Sequence, residues 1–202
     1  MLTTKEAIEN RRSIRKFKAE PVPEDVLYEL LDAACLAPSG SNAQPWRFKI
    51  VQDKKTKEKL AKAAYDQAFI AEAPVVFVCC ADIEGYLTGV ASGLQDLGKI
   101  GAVEDRIVKI ILNRTDKMKS MAIDQLNQRI AFNVAIATEH IVLRALDYSL
   151  GTCWVRLIDE QAIKTIFGWG DSISVVALLP LGYPDESPVP RKRKTIKEII
   201  ID

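Results

Sequence analysis

The sequence predicts one α+β domain, and three observations carry that prediction. Val26, Leu27, Leu30, Leu31 and Ala34, and again Ile130, Val134, Ala137, Ile141 and Ala145, recur at helical spacing. Pro74 to Ala81 and Ile173 to Leu181 are short runs apolar on both faces, as central strands are. No repeat and no linker divides the 202 residues, so they read as a single domain, residues 1–202.

In chain order, Thr3 to Arg11 reads as a helix, with Thr3 or Thr4 as N-cap and Glu6 in its first turn. Pro23-Glu24-Asp25 opens the next helix, proline at the first helical position and acids at the positive end of the dipole. It stops before Pro38, and residues 38–45 (PSGSNAQP) form a loop by composition. Trp46 to Val51 alternates as a strand, with Trp46, Phe48 and Ile50 on one face. Lys54 to Tyr65 is a charged surface helix. Residues 84–121 are mostly helical but broken by glycines at 85, 89, 93, 98 and 101, and read as an insertion over the core, a candidate lid. Ile123 to Leu150 is the longest helical pattern. Its second stripe, Phe132, Ile136 and Leu143, predicts burial on more than one side, partly by a partner subunit. Thr152 to Leu157 reads as a strand and Asp159 to Phe167 as a helix. Gly182-Tyr183-Pro184 ends the last strand, and a β-like tail from Thr195 to Ile201 argues for a docked C-terminus.

Charge and composition exclude several classes. Lys plus Arg number 28 and Asp plus Glu 27, so no net field draws nucleic acid or a membrane surface. The longest strongly apolar run, Ala73 to Ala81, is far short of the ~20 residues a membrane helix needs. Met1 leads into a polar stretch with no apolar signal core, which predicts a cytoplasmic protein. Cys35, Cys79, Cys80 and Cys153 form no C-x-x-C pair and sit among apolar residues, as buried thiols in a reducing cytoplasm do. His140 is the one histidine, inside the long helix, where a neighbour is expected to satisfy it, and the chain lacks zinc-ligand spacing. Dinucleotide, P-loop and nucleophile-elbow signatures are missing too. An enzyme of this kind would rely on a bound cofactor.

Two constellations remain. Arg11-Arg12-Ser13-Ile14-Arg15 and Arg191-Lys192-Arg193-Lys194 hold the forked donors and the hydroxyl that suit phosphate oxygens. Ser39, Ser41, Asn42 and Gln44, between prolines, can pair with the amides and carbonyls of a flat heterocycle.

Together these pieces resemble the nitroreductase-like family of FMN-dependent oxidoreductases. The order is R-R-S-I-R-K-F, P-S-G-S-N-A-Q-P-W-R-F, E-A-P-V-V-F-V, L-G-T-C-W-V, then L-G-Y-P with a basic close, over nearly the whole chain. The resemblance implies an α+β mixed sheet flanked by helices in an intertwined homodimer. Long helices would form the interface, and each C-terminal tail would lie across its partner. It implies that Arg11, Arg12, Ser13 and Arg15 hold the FMN phosphate, ribityl chain and pyrimidine edge, and that Arg191 and Arg193 close on the same phosphate. Pro38, Ser39, Gly40, Asn42 and Gln44 match the loop that the second subunit sets beside the flavin. Gln67, seven residues before Pro74, matches a polar contact, and Cys153, Trp154, Val155 and Arg156 match backbone that passes the ring. The implied activity is ping-pong reduction of nitroaromatic, quinone or similar acceptors by NADH or NADPH, with hydride passing through flavin N5. Dehalogenation, enoyl reduction and flavin cleavage are the same-fold alternatives, and a non-enzymatic binder of nucleic acid or a ligand is the other class. One departure stands out. Many relatives follow this segment with two small residues, whereas this chain has Arg156 and Leu157.

Overall fold

The computed structural model describes residues 1–201. The elements run α1 (Thr4–Asn10), α2 (Glu24–Cys35), β1 (Trp46–Val51), α3 (Lys54–Ala63), α4 (Phe69–Glu72), β2 (Val75–Asp82), α5 (Ile83–Lys99), α6 (Asp105–Met118), α7 (Ile123–Ala145), β3 (Gly151–Thr152), α8 (Glu160–Phe167), β4 (Ile173–Gly182) and α9 (Ile196–Ile199). Short 3-10 turns stand at Gly40–Asn42 and Leu146–Tyr148.

β2 organises the rest because its side chains alternate between two cores. Val75, Phe77, Cys79 and Ala81 face a cluster with Leu27 and Leu30 of α2 and Ile130, Val134 and Ile141 of α7. Val76, Val78 and Cys80 face a second cluster with Leu60 of α3 and Ile163 of α8. The sheet, in order β1-β2-β4-β3, thus lies between two helical layers. Lys57 breaks the surface pattern expected of α3. It is buried, and its ammonium donates to the Ala73 and Pro74 carbonyls at 2.6 and 3.3 Å, just before β2. His140 Nδ1 lies 3.0 Å from the Ala33 carbonyl and joins α7 to α2, so a neighbour does satisfy it.

Four expectations need correction. The four strands pair antiparallel throughout rather than as a mixed sheet; among the described residues the parallel pairing is the single bridge between Ser13 and Thr152. The strand expected over 152–157 shrinks to a two-residue β3 and a bridge at Val155. Cys153 N donates to the Pro180 carbonyl at 3.2 Å, but Pro180 has no N–H to return, so the ladder lapses there. The β-like tail contains a helical turn instead. Glu198 accepts from the Thr195 N–H at 2.7 Å in a capping box, and Ile196, Ile199, Ile200 and Ile201 are exposed rather than docked on their own chain. Cys35 is exposed, whereas Cys79, Cys80 and Cys153 are buried. It lies one residue past Ala34, the last buried position of α2, and so turns about 100° off the apolar stripe. Among the described residues, no helix is long and apolar enough to cross a membrane.

Candidate functional site

α1 begins at a capping box between Thr3 and Glu6 and ends at Asn10, where the chain turns extended. The Arg12 guanidinium folds back onto the Glu9 and Arg11 carbonyls at 2.7 and 2.8 Å, a cation at the negative end of a helix. Ile14 N donates to the Thr152 carbonyl at 2.9 Å and lays the basic segment beside β3. Gly151 permits that approach, since a methyl there would overlap the Ile14 side chain. After β4 the chain returns alongside. Lys18 N donates to the Tyr183 carbonyl and Asp185 N to the Lys16 carbonyl, each at 2.9 Å. The Glu186 carboxylate accepts from the Arg15 and Lys16 N–H groups.

This return path brings the two basic segments together. Arg11, Arg12, Ser13 and Arg15 line one side of a cavity of about 420 Å³, and Pro188, Val189, Arg191, Lys192 and Arg193 line the other. No carboxylate lines it, and among the described residues none of its six cations (Arg11, Arg12, Arg15, Arg191, Lys192, Arg193) is in an ion pair. Their mutual repulsion is best relieved by a multivalent anion. The neighbouring Cys153 thiol registers the same field. Burial pushes its pKa up, while the Arg15 charge and the Ser13 hydroxyl pull it back.

The loop at 38–45 is built differently. Ser39 Oγ accepts from Gln44 N at 3.0 Å, and Gln44 Nε2 donates to Asn42 Oδ1 at 3.2 Å. Ser41, Asn42 and Gln44 all take positive φ, 54°, 52° and 47°. Such a run of left-handed residues persists only where the surroundings hold it. Two anchors do so. Asn133 of α7, wholly buried, accepts from Gly40 N at 3.1 Å and donates to the Ile130 carbonyl at 3.2 Å. Gly89 and Gly93 of α5 lie against the loop backbone: a Cβ at Gly89 would stand 2.6 Å from the Ala43 carbonyl oxygen, and one at Gly93 would overlap that of Ser41. Two of the five glycines that made 84–121 look irregular, Gly89 and Gly93, are therefore the surface on which the loop rests.

Within one chain the loop does not meet the basic cavity. Gly40 and Ser41 line a separate cavity with residues of α5, α6 and α7. Gln67 Nε2 donates to the Ala64 and Leu157 carbonyls at 2.8 and 3.3 Å, tying the α3–α4 connection to the segment after β3. In that segment Cys153 and Val155 are buried, and the half-buried Trp154 donates its indole N–H to Glu139 at 3.0 Å. Arg156 is exposed and lines a third cavity, of about 290 Å³, with Asn127, Gln128, Glu160 and Ser174. Asn127 Oδ1 is buried there and, among the described residues, has no hydrogen-bond partner. Sequence reasoning missed Asn133, Gly89, Gly93 and Glu186. The first three left signals: a lone amide on an apolar helix face, and glycines four residues apart.

The sheet between two helical layers and the basic cavity beside β3 are the frame in which the comparisons fall. Residues 8–183 match the Nitroreductase family, and the chain belongs to it. It is 33% identical over 203 residues to an NADH dehydrogenase of Thermus thermophilus, covering 100% of this chain and 96% of that one. A crystal structure of a nitroreductase-like protein from Streptococcus mutans matches with a TM-score of 0.79 at 26% identity over 97% of each chain. A nitroreductase structure from Exiguobacterium sibiricum 255-15, in complex with FMN, shares the fold with a TM-score of 0.80 at 21% identity, over 100% of this chain and 97% of that one.

Proposed function

We propose that this chain is an FMN-dependent NAD(P)H oxidoreductase and that two copies complete each site. The observation that carries the reading is the basic cavity: six cations, none in an ion pair among the described residues, line it with Ser13 and no carboxylate. That donor set fits the dianionic phosphate of FMN. The FMN named with the Exiguobacterium structure and the NADH named for the Thermus relative favour the same cofactor pair.

In this reading Arg11, Arg12, Ser13, Arg15, Arg191 and Arg193 hold the phosphate and ribityl chain. Cys153, Trp154, Val155 and Arg156, with Gln67 behind them, flank the ring. Pro38, Ser39, Gly40, Asn42 and Gln44 of a second copy close its other side, since in its own chain none of this loop lines the basic cavity and its Gly40 and Ser41 line a different one. Bound FMN would supply the chemistry, taking hydride from NADH or NADPH and delivering it to a nitroaromatic, quinone or similar acceptor in ping-pong order. The protein's own part is to anchor, orient and exclude water.

The second copy is supported by what one chain leaves open. Phe132 of the second α7 stripe is 56% exposed, and Ile196, Ile199, Ile200 and Ile201 are 60–96% exposed. Large apolar side chains left open in this number favour an interface. The four free thiols accord with a cytoplasmic location.

The purified protein is expected to be yellow, or to turn yellow on adding FMN, and to bleach when NADH or NADPH is added without oxygen. A colourless protein that takes up no FMN would refute the reading.

A further inference from the structure

The cavity beside the flavin-facing loop has a second chemical character. Its volume is about 460 Å³, the size of a small-molecule site. Tyr86 and Val90 of α5, Met118 of α6 and Phe132 of α7 give it apolar walls. Arg114 sits one turn from Met118 and Arg129 one turn from Phe132, so each helix sets a guanidinium beside an apolar wall. No carboxylate lines the cavity, and among the described residues neither arginine is in an ion pair. Thr115 is already bonded to the Ile111 carbonyl at 2.9 Å. The remaining charge at the site is positive, over an apolar floor.

We infer that this cavity is the acceptor site and that it selects acceptors with an apolar or aromatic body bearing a negative charge, which Arg114 and Arg129 receive. The inference rests on the oxidoreductase reading in one respect: Gly40 and Ser41, which wall the cavity, belong to the loop assigned to the flavin of a second copy. An arginine pair with no internal partner favours a carboxylate or sulfonate and gives a neutral analogue nothing in return.

Two measurements decide it. In the first, FMN-loaded protein reduces 4-nitrobenzoate and its neutral methyl ester with NADH as donor. The double variant Arg114→Gln/Arg129→Gln is expected to lose at least tenfold in kcat/KM on the acid and to stay within twofold on the ester. Arg114→Lys/Arg129→Lys should recover most of the loss, and Arg106→Gln, on α6 outside the cavity, should change neither. In the second, flavin-free protein is titrated with 1-anilinonaphthalene-8-sulfonate, followed by fluorescence; the glutamine variant should bind at least tenfold more weakly. Equal losses on acid and ester, or undiminished dye binding in the variant, would overturn the assignment. If the protein takes up no FMN, the oxidoreductase reading falls, and the dye titration still decides the cavity. If turnover is intact but indifferent to charge, the cavity assignment falls and the oxidoreductase reading stands.

Discussion

Around Arg11 and Arg193 the chain gathers charge without burying it; around Ser41 it pins an uncharged loop and holds it strained. The basic cavity is lined by groups that are mostly exposed and unpaired, and its backbone is fixed from outside by Thr152 and Glu186. The loop has three left-handed residues, one buried amide beneath it and two glycines against it. The difference separates binding from stability. Removing a charge from the cavity should cost ligand and leave the fold intact, whereas disturbing the anchors of the loop should cost the fold as well.

The largest effect is expected at Gly93. A valine there must push the Ser41 carbonyl aside, and overpacking of this kind should cost about 3 kcal/mol in denaturant unfolding. A Gly93→Val protein as stable as the parent would show that the loop does not rest on α5. Asn133→Ala comes next. It strips Gly40 N of its partner, and about 2 kcal/mol of stability should go with it. Arg11→Ala should leave stability within about 0.5 kcal/mol, as surface changes usually do. It should weaken FMN binding by at least ~1.5 kcal/mol, the loss of one charge-assisted hydrogen bond. Equal losses of stability in Arg11→Ala and Asn133→Ala would break the contrast between the two regions.

The smallest effect is a matter of rates. Burial pushes the Cys79 thiol up to about 12, and Cys80 upward too, so at pH 8 both stay protonated and shielded. Cys35 is exposed. A thiol-reactive dye at pH 8 should label Cys35 quickly and the other three only after denaturation. Fast labelling of more than one thiol would contradict the burial seen in β2 and after β3.

Much of this arrangement was legible in the residues. Period and length placed α2, β2, α7 and β4, because a strand buried on both faces and a helix striped at 3.6 leave marks that tertiary context seldom erases. The two basic segments and the Ser-Asn-Gln loop stood out by composition, and it was the family resemblance that joined them into one expected site. What the residues hid depends on pairing. Pro180 halts the β3–β4 ladder, though Pro180 and Thr152 lie far apart in sequence. The Thr195–Glu198 capping box turned a β-like run of isoleucines into a helical turn. Gly89 and Gly93 of α5 looked like breaks in a helical insertion until Ala43 and Ser41 were seen against them. Arg156 is the departure from the family pattern that the sequence singled out. Its side chain lies at a polar cavity with the unpartnered Asn127 oxygen. In the proposed site it also flanks the ring, so Arg156→Gly should alter acceptor preference more than FMN affinity, which parallel acceptor profiles of mutant and parent would measure.

The central claim is that Arg11 and Arg193 grip a phosphate. Flavin fluorescence titrations with FMN and with riboflavin, which lacks the phosphate, test it most directly. The parent protein should prefer FMN strongly. Arg11→Ala/Arg193→Ala should lose most of that preference and bind riboflavin as the parent does. A double variant that still prefers FMN by the parental factor would contradict the account.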